Sequence, residues 1–280
     1  KRYNINLKFN EKIKYGLLPK PHFSAKNLSL VREARDIALV RDLKIFVPIN
    51  QFFSSDEIEI NNLVFKKADF NIYQDDLMFF KELLETEPND NEIIIKESKI
   101  FFKNNNDDVL FINKIYNSKF YYDSINLMNS LSAKNEIFNI PYKILIKNDK
   151  FNKKVITNLN SSKIRLKIEN QISYDKPIKE GRVDVSIVNK NQTLNYEIQK
   201  KLLNFKSVDK KNTYNGTIFF KPFYFQSKLN YEGISTRNLF SDDNIFVDLI
   251  TSEILNNKNL NANIDLNIKD ITNIDQLNNL

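Results

Sequence analysis

Residues 260–269 read Leu-Asn-Ala-Asn-Ile-Asp-Leu-Asn-Ile-Lys, so Leu260, Ala262, Ile264, Leu266 and Ile268 alternate with Asn261, Asn263, Asp265, Asn267 and Lys269. A period of two sends successive side chains to opposite faces of an extended chain, so this stretch is a strand with one apolar face and one wet face. The same period opens the chain, where Tyr3, Ile5, Leu7 and Phe9 share one side and Arg2, Asn4, Asn6 and Lys8 the other. It returns at Phe23/Ala25 and Leu28/Leu30, at Leu43/Ile45/Val47, at Tyr142/Ile144/Ile146, at Ile164/Leu166/Ile168 and at Val183/Val185/Ile187. The longest run sets Phe219, Phe223, Phe225, Leu229 and Tyr231 against Phe220, Tyr224, Gln226, Lys228 and Asn230.

Helical spacing is confined to short stretches. Asp75-Asp76 precede Leu77, Phe80, Leu83 and Leu84, with Pro88 beyond the end; Ser241-Asp242-Asp243 lead into Phe246, Leu249, Ile250, Ile254 and Leu255. Acidic residues suit a helix N-terminus and Ser241 suits an N-cap. Asn50–Phe53 and Ile125–Leu131 are weaker candidates. The expected fold is therefore mainly β: an elongated, curved antiparallel sheet with a few short helices, one module over 1–280 with its softest boundary near 123–132. A faint repeat links Ala68-Asp69-Phe70-Asn71-Ile72 to Ser98-Lys99-Ile100-Phe101-Phe102, which suggests stacked strand units.

Composition removes several chemistries. The 280 residues contain no Cys, no Trp, one His and four Gly. Thiol nucleophiles, disulfides and Cys/His zinc sites are excluded, and the separated glycines cannot form a phosphate-cradling loop. The net charge of +7, from 42 basic and 35 acidic residues, is dispersed, with no Lys/Arg run longer than two. No stretch approaches the roughly 18 apolar residues of a spanning helix. The start at Lys1 rather than Met leads us to expect a segment of a longer protein.

Three groups could carry chemistry. His22, in Lys20-Pro21-His22-Phe23, reads as a surface or turn histidine rather than a base. The Asp pairs at 75/76, 107/108 and 242/243 read as helix starts and a turn. Asp184 followed by Glu197, Gln199 and Lys201 on the next strand is the sharpest enzyme-like pattern, a metal-dependent nuclease arrangement that an ordinary solvent face also produces. The 22 Phe and 12 Tyr alternate in step with Leu and Ile, which favours a core or an apolar groove over base stacking. A continuous apolar face with few helices to cover it must close on itself, pack on another layer, or accept an apolar ligand. Candidate groove residues are Ile5, Leu7, Phe9, Leu43, Ile45, Ile144, Ile146, Ile164, Leu166, Ile168, Val183, Val185, Ile187, Phe219, Phe223, Phe225 and Leu229.

The N-terminal third, from Leu17-Leu18-Pro19-Lys20-Pro21-His22-Phe23 through Asn27-Leu28-Ser29-Leu30, then Ile37 to Ile49, Phe52-Phe53 and Glu57 to Phe65, resembles the AsmA-like family of bacterial envelope proteins. Ala68 to Tyr73 with the following helix, and Ser130 to Ile168, continue the likeness. The resemblance implies a non-enzymatic periplasmic protein, anchored in the inner membrane by an upstream segment. It implies a taco-shaped β-groove for phospholipid acyl chains, a role in lipid transport and outer-membrane homeostasis, possible envelope-protein partners, no cofactor and no nucleic acid. The alternative is a structural or interaction β-domain of the envelope with a closed core.

Overall fold

The computed structural model describes residues 5–32, 35–49, 60–73, 91–104, 106–187, 190–199, 202–209, 212–220, 223–235 and 261–272. Contacts divide the chain into two units, residues 1–137 with 141–150, and residues 138–140 with 151–280. Seventeen strands account for most of the described residues, and none of these is α-helical.

The first unit holds β1 (Ile5–Phe9), β2 (Lys14–Gly16), β3 (His22–Arg32), β4 (Arg35–Phe46), β5 (Asn62–Tyr73), β6 (Glu92–Lys103), β7 (Val109–Asp123), β8 (Met128–Ile137) and most of β9 (Ile140–Asp149). Strand β3 pairs with both β1 and β2 and, in turn, with β4. Pairing continues antiparallel through β4–β5, β6–β7 and β7–β8, while β5–β6 is parallel. In that parallel pair each partnered residue meets the one thirty positions later, Asn62 with Glu92 and Phe70 with Ile100, so the two copies of the sequence repeat lie side by side.

Each of β3 to β7 breaks its alternation near its middle, and β3 does so again at Leu30-Val31, where its register with β4 slips. Lys26-Asn27, Arg41-Asp42, Lys66-Lys67, Lys96-Glu97 and Tyr116-Asn117 are consecutive pairs set between apolar or small residues of one face: Ala25 and Leu28, Val40 and Leu43, Phe65 and Ala68, Ile95 and Ser98, Ile115 and Ser118. The backbone turns left-handed at Asn27 (φ 48°), Lys67 (φ 53°) and Glu97 (φ 48°), and the register slips between Ile115 and Asn117. These irregularities align: Lys26, Asp42, Lys66, Lys96, Asn117 and Lys134 are successive partners across β3 to β8. From β3 to β7 the register runs on unchanged through these steps, so they are kinks shared by neighbouring strands, and each keeps the apolar set on one side. The core collects there: Ala25, Leu28, Leu30, Ala38, Val40, Leu43 and Ala68 form one buried cluster with Ile37, Ile45, Phe65 and Phe70 packed against it.

Sequence periodicity suggested a helix over Ile125–Leu131. The structure has a turn at 124–127 followed by β8. The Asp123 carboxylate accepts the backbone N–H groups of Ile125 and Asn126, both at 3.1 Å, and the Asn126 side chain at 2.8 Å. Such local bonds compete with helix formation. The boundary expected at 123–132 thus falls inside the β7–β8 hairpin, where Asp123 pairs with Met128.

The second unit is a run of antiparallel neighbours: β10 (Lys154–Ser161), β11 (Leu166–Ser173), β12 (Lys179–Ile187), β13 (Lys190–Gln199), β14 (Leu202–Ser207), β15 (Thr213–Phe220) and β16 (Phe223–Ser235). Strand β17 (Asn261–Thr272) then pairs parallel with β16. A purely antiparallel sheet is therefore corrected to a mixed one. Parallel neighbours cannot be joined by a tight hairpin and need a crossover of a dozen or more residues. The helices expected over Asp75–Leu84 and Ser241–Leu255 fall in these two connections, outside the described residues, as does Asn50–Phe53.

One register row of this unit runs Ile172, Gly181, Tyr196, Phe205, Gly216, Ser227 and Ile264. The Tyr196 ring lies across Gly181 and the Phe205 ring across Gly216, each filling the space that a Cβ would need. At Gly216 an added Cβ would also overlap the backbone carbonyl oxygen of Gln226 on the neighbouring strand. Gly216→Ala should therefore cost about 1–3 kcal/mol. At Gly233 the nearest atom is 3.5 Å away, and alanine there should leave stability within about 1 kcal/mol of the parent. Paired urea melts check this contrast, and equal midpoints for the two variants would refute the register.

Candidate functional site

Paired residues of a ladder point to the same side, so the second unit's registers sort its side chains into two faces. One carries Leu166, Ile168, Val183, Val185, Leu194, Tyr196, Ile198, Leu203, Phe205, Tyr214, Ile218, Phe225 and Leu229. The other carries Glu169, Gln171, Arg182, Asp184, Asn195, Glu197, Asn204 and Lys206.

The apolar face is half-buried over its whole width. None of the thirteen residues just named on it is buried; all are intermediate, including Leu166 and Ile168. On β17, Ile264 and Leu266 are each 53% exposed. Its most buried members are small and polar, Ser161, Ser207 and Ser227. Aromatic rings pave it: Phe205 and Phe225 stack at 6.0 Å with planes 4° apart, and Tyr214 meets Tyr231 edge-on at 5.4 Å. The Tyr196 hydroxyl donates to Asn170 Oδ1 at 2.7 Å, which satisfies the polar tip among apolar neighbours. Burial pushes the Tyr196 phenol up, against the lowering effect of that bond. Tyr214 is raised by burial and then by its hydrogen bond with Tyr231. Both phenols thus stay neutral on this face well into the alkaline range.

The wet face holds a concavity of about 960 Å³ lined by Glu169, Gln171, Arg182, Asp184, Asn195 and Glu197, among others. Its lining is mixed, because Ile156, Gly181, Tyr196 and Phe205 also border it.

The nuclease-like residues are not assembled. Asp184 pairs with Thr193, whereas Glu197 pairs with Glu180, four positions away and thus about 13 Å along the strand. The Asp184 carboxylate is engaged by the Thr193 hydroxyl and by Arg182 at 3.3 Å, and the Thr193 bond, then Arg182, hold it below the usual carboxylate range. Gln199 pairs with Leu202, and Lys201 lies outside the described residues. Among the described residues no group of three or more His, Asp or Glu could hold a metal ion.

His22, expected at the surface, is instead buried. Its Nδ1 donates to the Lys20 carbonyl at 2.8 Å, and its ring packs 5.3 Å from Phe46. The Pro-rich turn before β3 folds the ring inward over Gly16. Asp107 and Asp108 sit in the turn after β6: Asn104 Oδ1 accepts the N–H groups of Asn106 and Asp108, and Tyr73 donates to Asp107. The other two Asp pairs lie outside the described residues.

The groove candidates divide. Leu166, Ile168, Val183, Val185, Ile187, Phe225 and Leu229 share the half-open face, with Leu166 opposite Ile187. Phe219 does not: it pairs with Tyr224 on the wet face, because Phe220 and Phe223 close the hairpin and each odd position on β15 meets an even one on β16. Ile164 is buried in the turn before β11. In the first unit Leu43 is buried in the core and Ile45 packs against it. Leu7 and Phe9 pair with Leu30 and Leu28 yet remain 44% and 40% exposed. Ile144 and Ile146 are half-buried on β9. Ile5 and Phe223 are placed by backbone pairing alone. Sequence reasoning passed over Leu194, Tyr196, Ile198, Leu203 and Phe205, although the alternation at 194/196/198 and 203/205 carries the signal. No protein-family model matches the chain, and no curated protein matches it.

Proposed function

We propose that the apolar face of β10 to β17 binds phospholipid acyl chains, and that the protein is a non-enzymatic, AsmA-like lipid-handling component of the bacterial periplasm, tethered to the inner membrane upstream. The half-exposure of the aromatic and aliphatic face carries this reading, because surfaces of that kind mark ligand or partner sites. Eight neighbouring strands span about 34 Å, longer than one leaflet's hydrocarbon thickness of about 15 Å. Covering eight methylenes would contribute about 6 kcal/mol, enough for reversible capture and release.

Native mass spectrometry of protein purified from membranes, with uptake of a labelled phospholipid, tests the reading. Co-purifying phospholipid and saturable uptake are expected. Protein that carries no lipid and takes none up would favour the closed structural domain.

A further inference from the structure

We propose that the outer face of the first unit, along its row of aligned kinks, docks on an anionic phospholipid bilayer. The reason lies in what the kinks do to the surface. Each gives its strand two consecutive residues on the side away from the core, and these pairs bring together Lys26, Arg41, Lys66, Lys67 and Lys96 with Asp42 and Glu97, while Glu11 bonds Asn27 and Glu136 bonds Tyr116 and Lys114, which leaves the basic groups in excess. Lys134 extends the row on β8. In the whole chain basic and acidic residues are nearly balanced, 42 to 35, so the stripe is a local excess.

Asp42 is the ladder partner of both Lys26 and Lys66 and balances that end of the row, but the excess lies beyond it. Lys66 stands directly opposite Lys96 in the parallel pair, and like charges so placed are destabilising. Lys66 is relieved by Glu97 at 3.1 Å. Lys26, Arg41, Lys67, Lys96 and Lys134 are exposed and, among the described residues, make no ion pair. An external anion would complete the charge pattern.

Residue type selects the partner. Lysine is a hydrated point charge on a flexible stem, suited to a diffuse anionic surface, whereas arginine forks favour bidentate recognition of single phosphates or bases. The stripe is almost all lysine. On the same outer face Leu39 is 53%, Ile112 42% and Tyr116 51% exposed, which supplies the apolar and tyrosine contacts that settle at a bilayer interface.

The test is sedimentation of the full chain with phosphatidylcholine vesicles, plain or doped with phosphatidylglycerol, at low and high salt. Binding should need the anionic lipid and fall steeply with salt. The triple variant Lys67→Glu/Lys96→Glu/Lys134→Glu should lose affinity by about tenfold or more, with Lys206→Glu in the other unit unchanged. The corresponding Lys→Gln triple keeps the question open to measurement if charge reversal unfolds the chain, and it should move in the same direction. Equal binding to plain vesicles, or unchanged affinity in a folded triple variant, would overturn the proposal. Tighter, equally salt-sensitive retention on single-stranded DNA would assign the stripe to nucleic acid instead. The inference does not rest on acyl-chain capture: docking depends on charge and salt in one unit, uptake on the apolar face of the other.

Discussion

Replacing Leu28 by alanine should lower the unfolding free energy by about 3 kcal/mol, within the range of about 2–5 kcal/mol for emptied core sites. Leu28 is 1% exposed and sits immediately after the left-handed Asn27, in a cluster with Val40, Leu43 and Ala68. Val40, its ladder partner, and Ala68 beyond it are short side chains that cannot reach across to fill the cavity. Leu39→Ala, one strand away but on the outer face and 53% exposed, should stay within about 0.5 kcal/mol of the parent. Urea denaturation followed by circular dichroism separates the two. A loss below about 1 kcal/mol for Leu28→Ala would mean that the row of kinks does not organise the core.

The second large effect belongs to the other unit. Placing aspartate at Val185 and Phe225 puts two carboxylates among half-buried apolar side chains, on a face where Phe225 stacks on Phe205. An acyl chain lying there would lose contacts and meet desolvated charge. Uptake of labelled phospholipid should fall by at least about tenfold, at about 0.8 kcal/mol for every two methylenes uncovered if half the benefit of each is lost. Because both positions are half-exposed in the absence of ligand, far-UV circular dichroism should stay that of a β protein. Lys206→Glu on the wet face is the control.

How far the sequence discloses this protein depends on the element. Alternation identifies the strands of the second unit, since Val183/Val185/Ile187 and Leu166/Ile168 keep strict period two and no described bulge interrupts those pairings. It misplaces Phe219, because parity carries along a strand but not around a two-residue hairpin. The left-handed kinks are harder to see. Left-handed backbone is expected at glycine, yet the described glycines have none, and the chain uses Asn27, Lys67, Glu97, Leu127 and Phe138 among others. Their trace is a doubled polar step, as in Phe65-Lys66-Lys67-Ala68 and Ile95-Lys96-Glu97-Ser98, which disturbs the period without a breaker residue. Parallel pairing of β5 with β6 was legible only through the thirty-residue repeat, whereas β16 with β17 has no such mark, because pairing partners are chosen by packing rather than by local pattern. The separation of Asp184 from Glu197 likewise depends on register, which spacing in sequence does not supply.

The chain contains no tryptophan, so one introduced ring reports from one face alone. Ile168→Trp stands on the apolar side and Gln171→Trp on the wet side of the same strand, β11. With phospholipid brominated in its acyl chains, fluorescence of the Ile168→Trp variant should be quenched strongly and saturably while that of Gln171→Trp stays near its starting level. Quenching confined to Gln171→Trp, or absent from both with lipid bound, would contradict the assignment of acyl chains to the half-open apolar face.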